Sequence, residues 1–132
     1  MGEYKESLKS GGNLIVSEKD WKIQYYFPGP DLRYNGTWKI IFSKDIDRYI
    51  EAWKNNFATY LKLKSQLSLE GTYEQIGEAG MKISIGGYRD GVCIDSWHMN
   101  VRTQEKIDAI IEDYLNAKKK AIAIQEMLKS LS

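Results

Sequence analysis

Residues 37–67 read TWKIIFSKDIDRYIEAWKNNFATYLKLKSQL, and the fold class follows from the change of pattern in the middle of this stretch. Thr37 to Phe42 is rich in β-favouring residues. It follows Asn35-Gly36, the strongest two-residue hairpin signal, since both central positions of a type I′ turn need positive φ. Leu32-Arg33-Tyr34 stands on the other side of that turn. Beyond it, Ile46, Tyr49, Ile50, Trp53, Phe57, Tyr60, Leu63 and Leu67 recur at helical spacing, with Asp47, Lys54, Asn55 and Lys62 on the opposite side. Ser43 or Asp45 is placed to cap this helix. The spacing predicts about 23 helical residues, about 34 Å of rise, ending before Gly71.

Upstream, Leu14-Ile15-Val16 and Trp21 to Phe27 read as a first hairpin about a turn at Glu18-Lys19-Asp20. Phe27-Pro28-Gly29-Pro30-Asp31 breaks the ladder, because neither proline can donate a backbone hydrogen bond. Residues 1–12 are polar, end in Ser10-Gly11-Gly12, and read as a flexible lead-in. Downstream, residues 71–80 read as Gly-rich and irregular, followed by strands at Met81 to Ile85 and Val92 to Val101 around Gly86-Gly87-Tyr88-Arg89-Asp90-Gly91. Thr103 can cap a second helix, with Glu105 in its first turn. Ile107, Ile110, Tyr114, Ala117, Ala121, Ile124, Leu128 and Leu131 form its stripe. That helix is expected to run about 28 residues, about 42 Å.

The expected fold class is α+β: antiparallel β-hairpins forming one sheet with two long amphipathic helices, in the order ββ(ββ)α-ββα. Residues 13–132 are expected as a single domain. Ile46 to Trp53 and Ile107 to Tyr114 share four of eight positions, which makes a weak ββα pseudo-repeat of 13–70 and 71–132 conceivable. Chance convergence of two amphipathic helices is the favoured explanation.

Composition excludes more than it identifies. With 132 residues, 19 Lys plus Arg against 18 Asp plus Glu and a net charge of +1, the chain has no global field to steer polyanions and no acidic surface for DNA mimicry. At this length it buries roughly two thirds of its unfolded surface, a core that needs neither metal nor cofactor. Cys93 is the only cysteine and cannot form an internal disulfide, which fits a reducing, cytoplasmic setting. No apolar leader and no stretch of 18 apolar residues occurs, so neither export nor membrane spanning is expected.

The same scarcity bears on catalysis. His98 is the only histidine, and on an extended strand it lies about 16 Å from Cys93 on the opposite face, so a Cys-His dyad is not expected. Two such residues cannot supply a structural zinc site, and the 86–91 glycines lack the Lys-Ser/Thr ending of a phosphate loop. No catalytic residue, metal or cofactor is assigned.

Two sets of binding candidates remain. On a continuous strand from Val92 to Arg102, Ser96, His98, Asn100 and Arg102 share a face, where they could hold an anionic or nucleotide-like ligand with Tyr88 or Arg89 alongside. The competing account is a solvated face over an apolar core. Tyr25, Tyr26, Tyr34 and Tyr73 are candidates for a protein interface, because tyrosine offers large contact area with a polar tip. Lys118-Lys119-Lys120 diverge around a helix and read as its solvated side, so nucleic acid is not expected. The leading expectation is a non-enzymatic binding module, of the kind a phage or mobile element uses as an inhibitor, acting by protein–protein interaction. The alternatives are a protein that binds or sequesters a small anionic ligand, and a nucleic-acid-binding accessory protein. Self-association is expected through the 103–131 helix.

Overall fold

Alternation along Trp21–Phe27 organises the N-terminal strands. Trp21, Ile23 and Tyr25 are buried and Tyr26 is exposed, as a strand with one face on a core requires. In the computed structural model, which describes residues 2–27, 37–68, 70–94 and 100–131, this strand is β3. It belongs to a four-stranded antiparallel sheet ordered β1 (Tyr4–Ser7), β2 (Asn13–Val16), β3, β4 (Thr37–Phe42). Leu14 pairs with Ile23 and Ile23 with Ile41, so a row of aliphatic side chains with no exposed surface crosses three strands. The β2–β3 turn closes with a bond from Ser17 N–H to the Asp20 carbonyl at 2.8 Å.

The second sheet is ordered β5 (Tyr73–Ile76), β6 (Lys82–Ile85), β7 (Gly91–Cys93), again antiparallel. The two helices are α1 (Ile46–Gln66) and α2 (Gln104–Ser130). In α1 the predicted stripe from Tyr49 to Tyr60 is buried, and in α2 the stripe from Ile107 to Ile124 is buried. The Thr103 hydroxyl accepts from Lys106 N–H at 3.2 Å, the expected cap of α2. Ser43 does not play this part for α1: residues Ser43–Asp45 form a 3-10 turn, and the Ser43 hydroxyl donates to Asp20. Among the described residues, no helix is long and apolar enough to cross a membrane.

The α+β class holds, with four differences of detail. The strands divide between two sheets instead of one. Hairpin connections join strands that are close in sequence, and α1, 21 residues long, separates the two groups, each of which completes its pairing locally. Residues 4–7, within the expected lead-in, form edge strand β1 by pairing with β2, and residues 73–76 of the supposedly irregular segment form β5. The stretch from Val92 to Arg102 is not one continuous strand: Val92 and Val101 exchange both backbone hydrogen bonds at 2.9 Å as antiparallel partners. Glycine is required at 91, where φ is +131° and a Cβ would lie 2.7 Å from the Val101 carbonyl oxygen. The Asn35-Gly36 turn lies outside the described residues.

The chain forms two compact units, Met1–Ile46 with Ala109–Ser132, and Asp47–Asp108. Each contains one sheet and most of the helix that follows the other sheet in sequence. In the first unit α2 is fastened to its sheet by a buried Tyr25–Tyr114 hydroxyl pair at 3.0 Å, by Ser10 N–H donating to Asp113, and by Lys120 on both oxygens of Glu6. Burial pushes the Tyr25 phenol up to about 12, and the bond to Tyr114 offsets part of that shift. In the second unit the buried Asn56 amide of α1 acts as a backbone surrogate. Its Oδ1 accepts from Glu78 N–H at 2.8 Å and its Nδ2 donates to the Glu78 carbonyl at 3.0 Å.

Candidate interaction surface

The polar residues of the second unit converge on the β6–β7 turn. Asp90, only 8% exposed, receives Tyr60 OH at 2.5 Å and Lys64 Nζ at 2.8 Å on Oδ2, and Gly86 N–H at 2.8 Å on Oδ1. Burial disfavours its charge, but bonds from Lys64, Tyr60 and Gly86 more than compensate and hold its carboxyl below the ordinary range. Lys64 is pushed up first by its bond to Asp90 and then by the bond it donates to the Tyr60 hydroxyl at 2.9 Å. Tyr60 is also pushed up, first by burial and then by its bond to Asp90.

Four of the sequence-chosen ligand candidates meet beside this carboxylate. Arg102 Nε donates to the Asp90 carbonyl at 2.6 Å and its Nη2 to the Tyr88 carbonyl at 2.8 Å. Asn100 Nδ2 also reaches the Tyr88 carbonyl, at 3.4 Å, while its Oδ1 accepts from Cys93. The Tyr88 ring is exposed with the Arg89 guanidinium 5.3 Å from its centroid. Ser96 and His98 lie outside the described residues. Arg102 thus spends two of its donors on main-chain carbonyls, as a strut across the turn, and keeps Nη1 outside both bonds. A shallow cavity of about 350 Å³ beside it is lined by Lys64, Asp90, Gly86, Gly87 and Arg102. Burial pushes the Cys93 thiol up, away from a reactive thiolate. Among the described residues no group of three or more His, Cys, Asp or Glu could hold a metal ion.

In the first unit the notable surface is a mixed sheet face that carries exposed aromatics. Facing residues of an antiparallel pair point to the same side, so the register places Lys5, Ile15, Lys22 and Phe42 in one row and Ser7, Asn13, Gln24 and Ile40 in the next. Tyr26 and Trp38 make a third. This is the face opposite the Leu14–Ile23–Ile41 row. Trp38 is 58% exposed, Tyr26 48% and Phe42 43%, and the Tyr26 and Trp38 rings pack with centroids 4.5 Å apart, tilted by 43°. Of the tyrosines chosen from sequence, Tyr26 is on this face, Tyr25 is buried, Tyr73 is half-buried with its hydroxyl bonded to Gln75, and Tyr34 lies outside the described residues.

Trp38 and Phe42 were not sequence candidates. The signal was present in the i, i+2, i+4 spacing of Trp38, Ile40 and Phe42, but Ile41 between them is also apolar, so alternation could not say which side faced the core. No family model, curated protein or solved structure matches this sequence, and any function must therefore be argued from these surfaces.

Proposed function

We propose that the chain is a non-enzymatic binding module that engages a partner protein through the outer face of the four-stranded sheet, blocking the partner surface it covers. The observation that carries this reading is the packed Tyr26–Trp38 pair with Phe42 further along the same sheet face: three large aromatics, each nearly half exposed or more. Aromatics of this kind are the residues most often found at the energetic centre of interfaces. They sit on strands, which hold them in place before binding and reduce the ordering cost.

The test is affinity capture with the full chain beside a Tyr26→Ser/Trp38→Ser double variant. Both positions are exposed, so the variant is expected to keep its circular dichroism spectrum while a protein retained by the wild type is lost. Equal retention by both would overturn the reading. The placement of Lys64 and the Arg102 Nη1 beside one cavity favours a second reading, a small-anion site. It requires inorganic phosphate to raise the melting temperature of the wild type and not of Arg102→Ala.

A further inference from the structure

We infer that the second unit holds a small-molecule site of its own, a cavity on the three-stranded sheet that takes a zwitterion of the free α-amino acid class. This goes beyond the proposed function, which concerns the other sheet. The cavity is about 260 Å³ and is lined by Thr72, Glu74, Ser84, Tyr88 and Arg89, with Gly86 and Gly87 between them. All belong to one compact unit. Its shape depends on the two glycines, at φ +84° and +73°: a Cβ at Gly86 would lie 2.9 Å from the Gly71 carbonyl oxygen, and one at Gly87 would lie 3.1 Å from the Thr72 methyl. Residues without side chains let segment 71–72 close against the turn and form one wall.

Ser84 supplies the observation that points to a ligand. It is 2% exposed, and its hydroxyl has no hydrogen-bond partner among the described residues. A buried hydroxyl left in that state destabilises a fold, and most such groups in proteins are bonded by something. The register fixes the side to which it points. Ser84 faces Glu74 across the β5–β6 pair, facing residues share a side of the sheet, and both line the cavity. On its other flank Ser84 faces Gly91, which has no side chain to meet the hydroxyl.

The charges around Ser84 select the class of ligand. Glu74 stands 4.0 Å from Arg89 Nη1 and 3.5 Å from Lys82 Nζ. Both distances exceed a hydrogen bond, so its carboxylate lies near two cations and is saturated by neither. Of the three, Glu74 and Arg89 line the cavity, one carboxylate beside one guanidinium. A simple anion gains from Arg89 and is repelled by Glu74, and a simple cation meets the reverse. A zwitterion suits both: its ammonium donates to Glu74, and its carboxylate accepts from Arg89 and from the Ser84 hydroxyl. A guanidinium has five N–H donors, enough for contacts within the fold and a ligand carboxylate. The volume lies below the roughly 300–1,000 Å³ of sites for drug-sized ligands, which suits an amino acid better than a nucleotide. Tyr88, 77% exposed, offers ring surface to the ligand's side chain, so an aromatic one is favoured.

Calorimetric titration and thermal unfolding of the full chain with L-phenylalanine, N-acetyl-L-phenylalanine and L-phenylalaninamide test the site. L-Phenylalanine at ten times a dissociation constant on the order of 1 mM should raise the melting temperature by about 5 °C. The N-acetyl compound lacks the ammonium and the amide lacks the carboxylate, so each should bind at least about tenfold more weakly. Ser84→Ala should weaken L-phenylalanine by a similar factor while leaving the melting temperature of the unliganded chain unchanged or raised, because the fold itself does not use that hydroxyl. Glu74→Gln should weaken L-phenylalanine and not the N-acetyl compound, and it serves if Ser84→Ala fails to fold. No response to L-phenylalanine, equal binding of the three compounds, or normal binding by both variants would each overturn the inference. A lower melting temperature of unliganded Ser84→Ala would overturn it too, by showing that the hydroxyl already serves the fold. Inorganic phosphate binding as tightly as L-phenylalanine and with the same dependence on Ser84 would replace it with a plain anion site. The Tyr26→Ser/Trp38→Ser variant should bind L-phenylalanine as the wild type does, so this site and the partner surface stand or fall separately.

Discussion

The turn around Asp90 and the outer face of β3 and β4 carry opposite kinds of surplus. Around Asp90, charged and polar groups that look ready for a ligand are largely used within the unit: Lys64 and Tyr60 on the carboxylate, Arg102 on two carbonyls, Asn100 between Cys93 and Tyr88. On the outer face of β3 and β4, Trp38 stays more than half exposed, and Tyr26 and Phe42 nearly half. A ligand-like set of residue types is therefore a weaker guide to function than the apolar area left exposed after folding. That contrast can be broken from either end.

The largest effect is expected from Asp90→Ala. It removes the acceptor shared by Tyr60, Lys64 and Gly86 N–H and leaves a buried hydroxyl without its partner. Because Lys64 is more than half exposed and can turn to water, the cost is below that of breaking a fully buried pair, at about 2–3 kcal/mol. Urea denaturation at constant m measures it, and a loss under about 0.5 kcal/mol would mean that the cluster is not structural. The pH dependence has a definite sign. A carboxyl held below its ordinary value of about 3.9 contributes stability above that pH and loses it as pH falls through the folded-state value. The wild type should therefore lose more stability than Asp90→Asn on acidification below about pH 4. Lys64, pushed up, contributes below its ordinary value of about 10.4 and loses that contribution as pH rises through the folded value.

Asn56→Ala should come next, at about 2 kcal/mol. It strips partners from both the N–H and the carbonyl of Glu78 in a part-buried position. Protection of the Glu78 amide against hydrogen exchange should fall with it. Unchanged protection would show that water replaces the side chain at no cost.

How legible these features were follows from range and redundancy. α1 could be read because Tyr49, Trp53, Phe57 and Tyr60 recur every third or fourth residue with Glu51, Lys54 and Asn55 between them, and those four rings are buried. β1 could not, because Tyr-Lys-Glu-Ser has no apolar alternation and becomes a strand through pairing with β2. Asp90 read as a turn residue, and nothing local foretells that Lys64, 26 residues earlier, reaches it. Arg102 was singled out from a strand that turns out to reverse, so its grouping with Tyr88 and Asn100 has a different cause from the one expected: all three meet at one carbonyl.

The smallest stability change is expected where the functional change is greatest. Trp38→Ala removes a ring that is 58% exposed and packed on Tyr26. The fold loses only that cross-strand aromatic pair, worth about 0.5–1.5 kcal/mol at most. The same ring is the centre of the proposed face. Thermal unfolding should thus shift only slightly, while partner capture fails. If Trp38→Ala instead cost as much as Asp90→Ala, the ring would be serving the fold as the Asp90 carboxylate does, and the contrast between a surface used up by folding and one left over for binding would disappear.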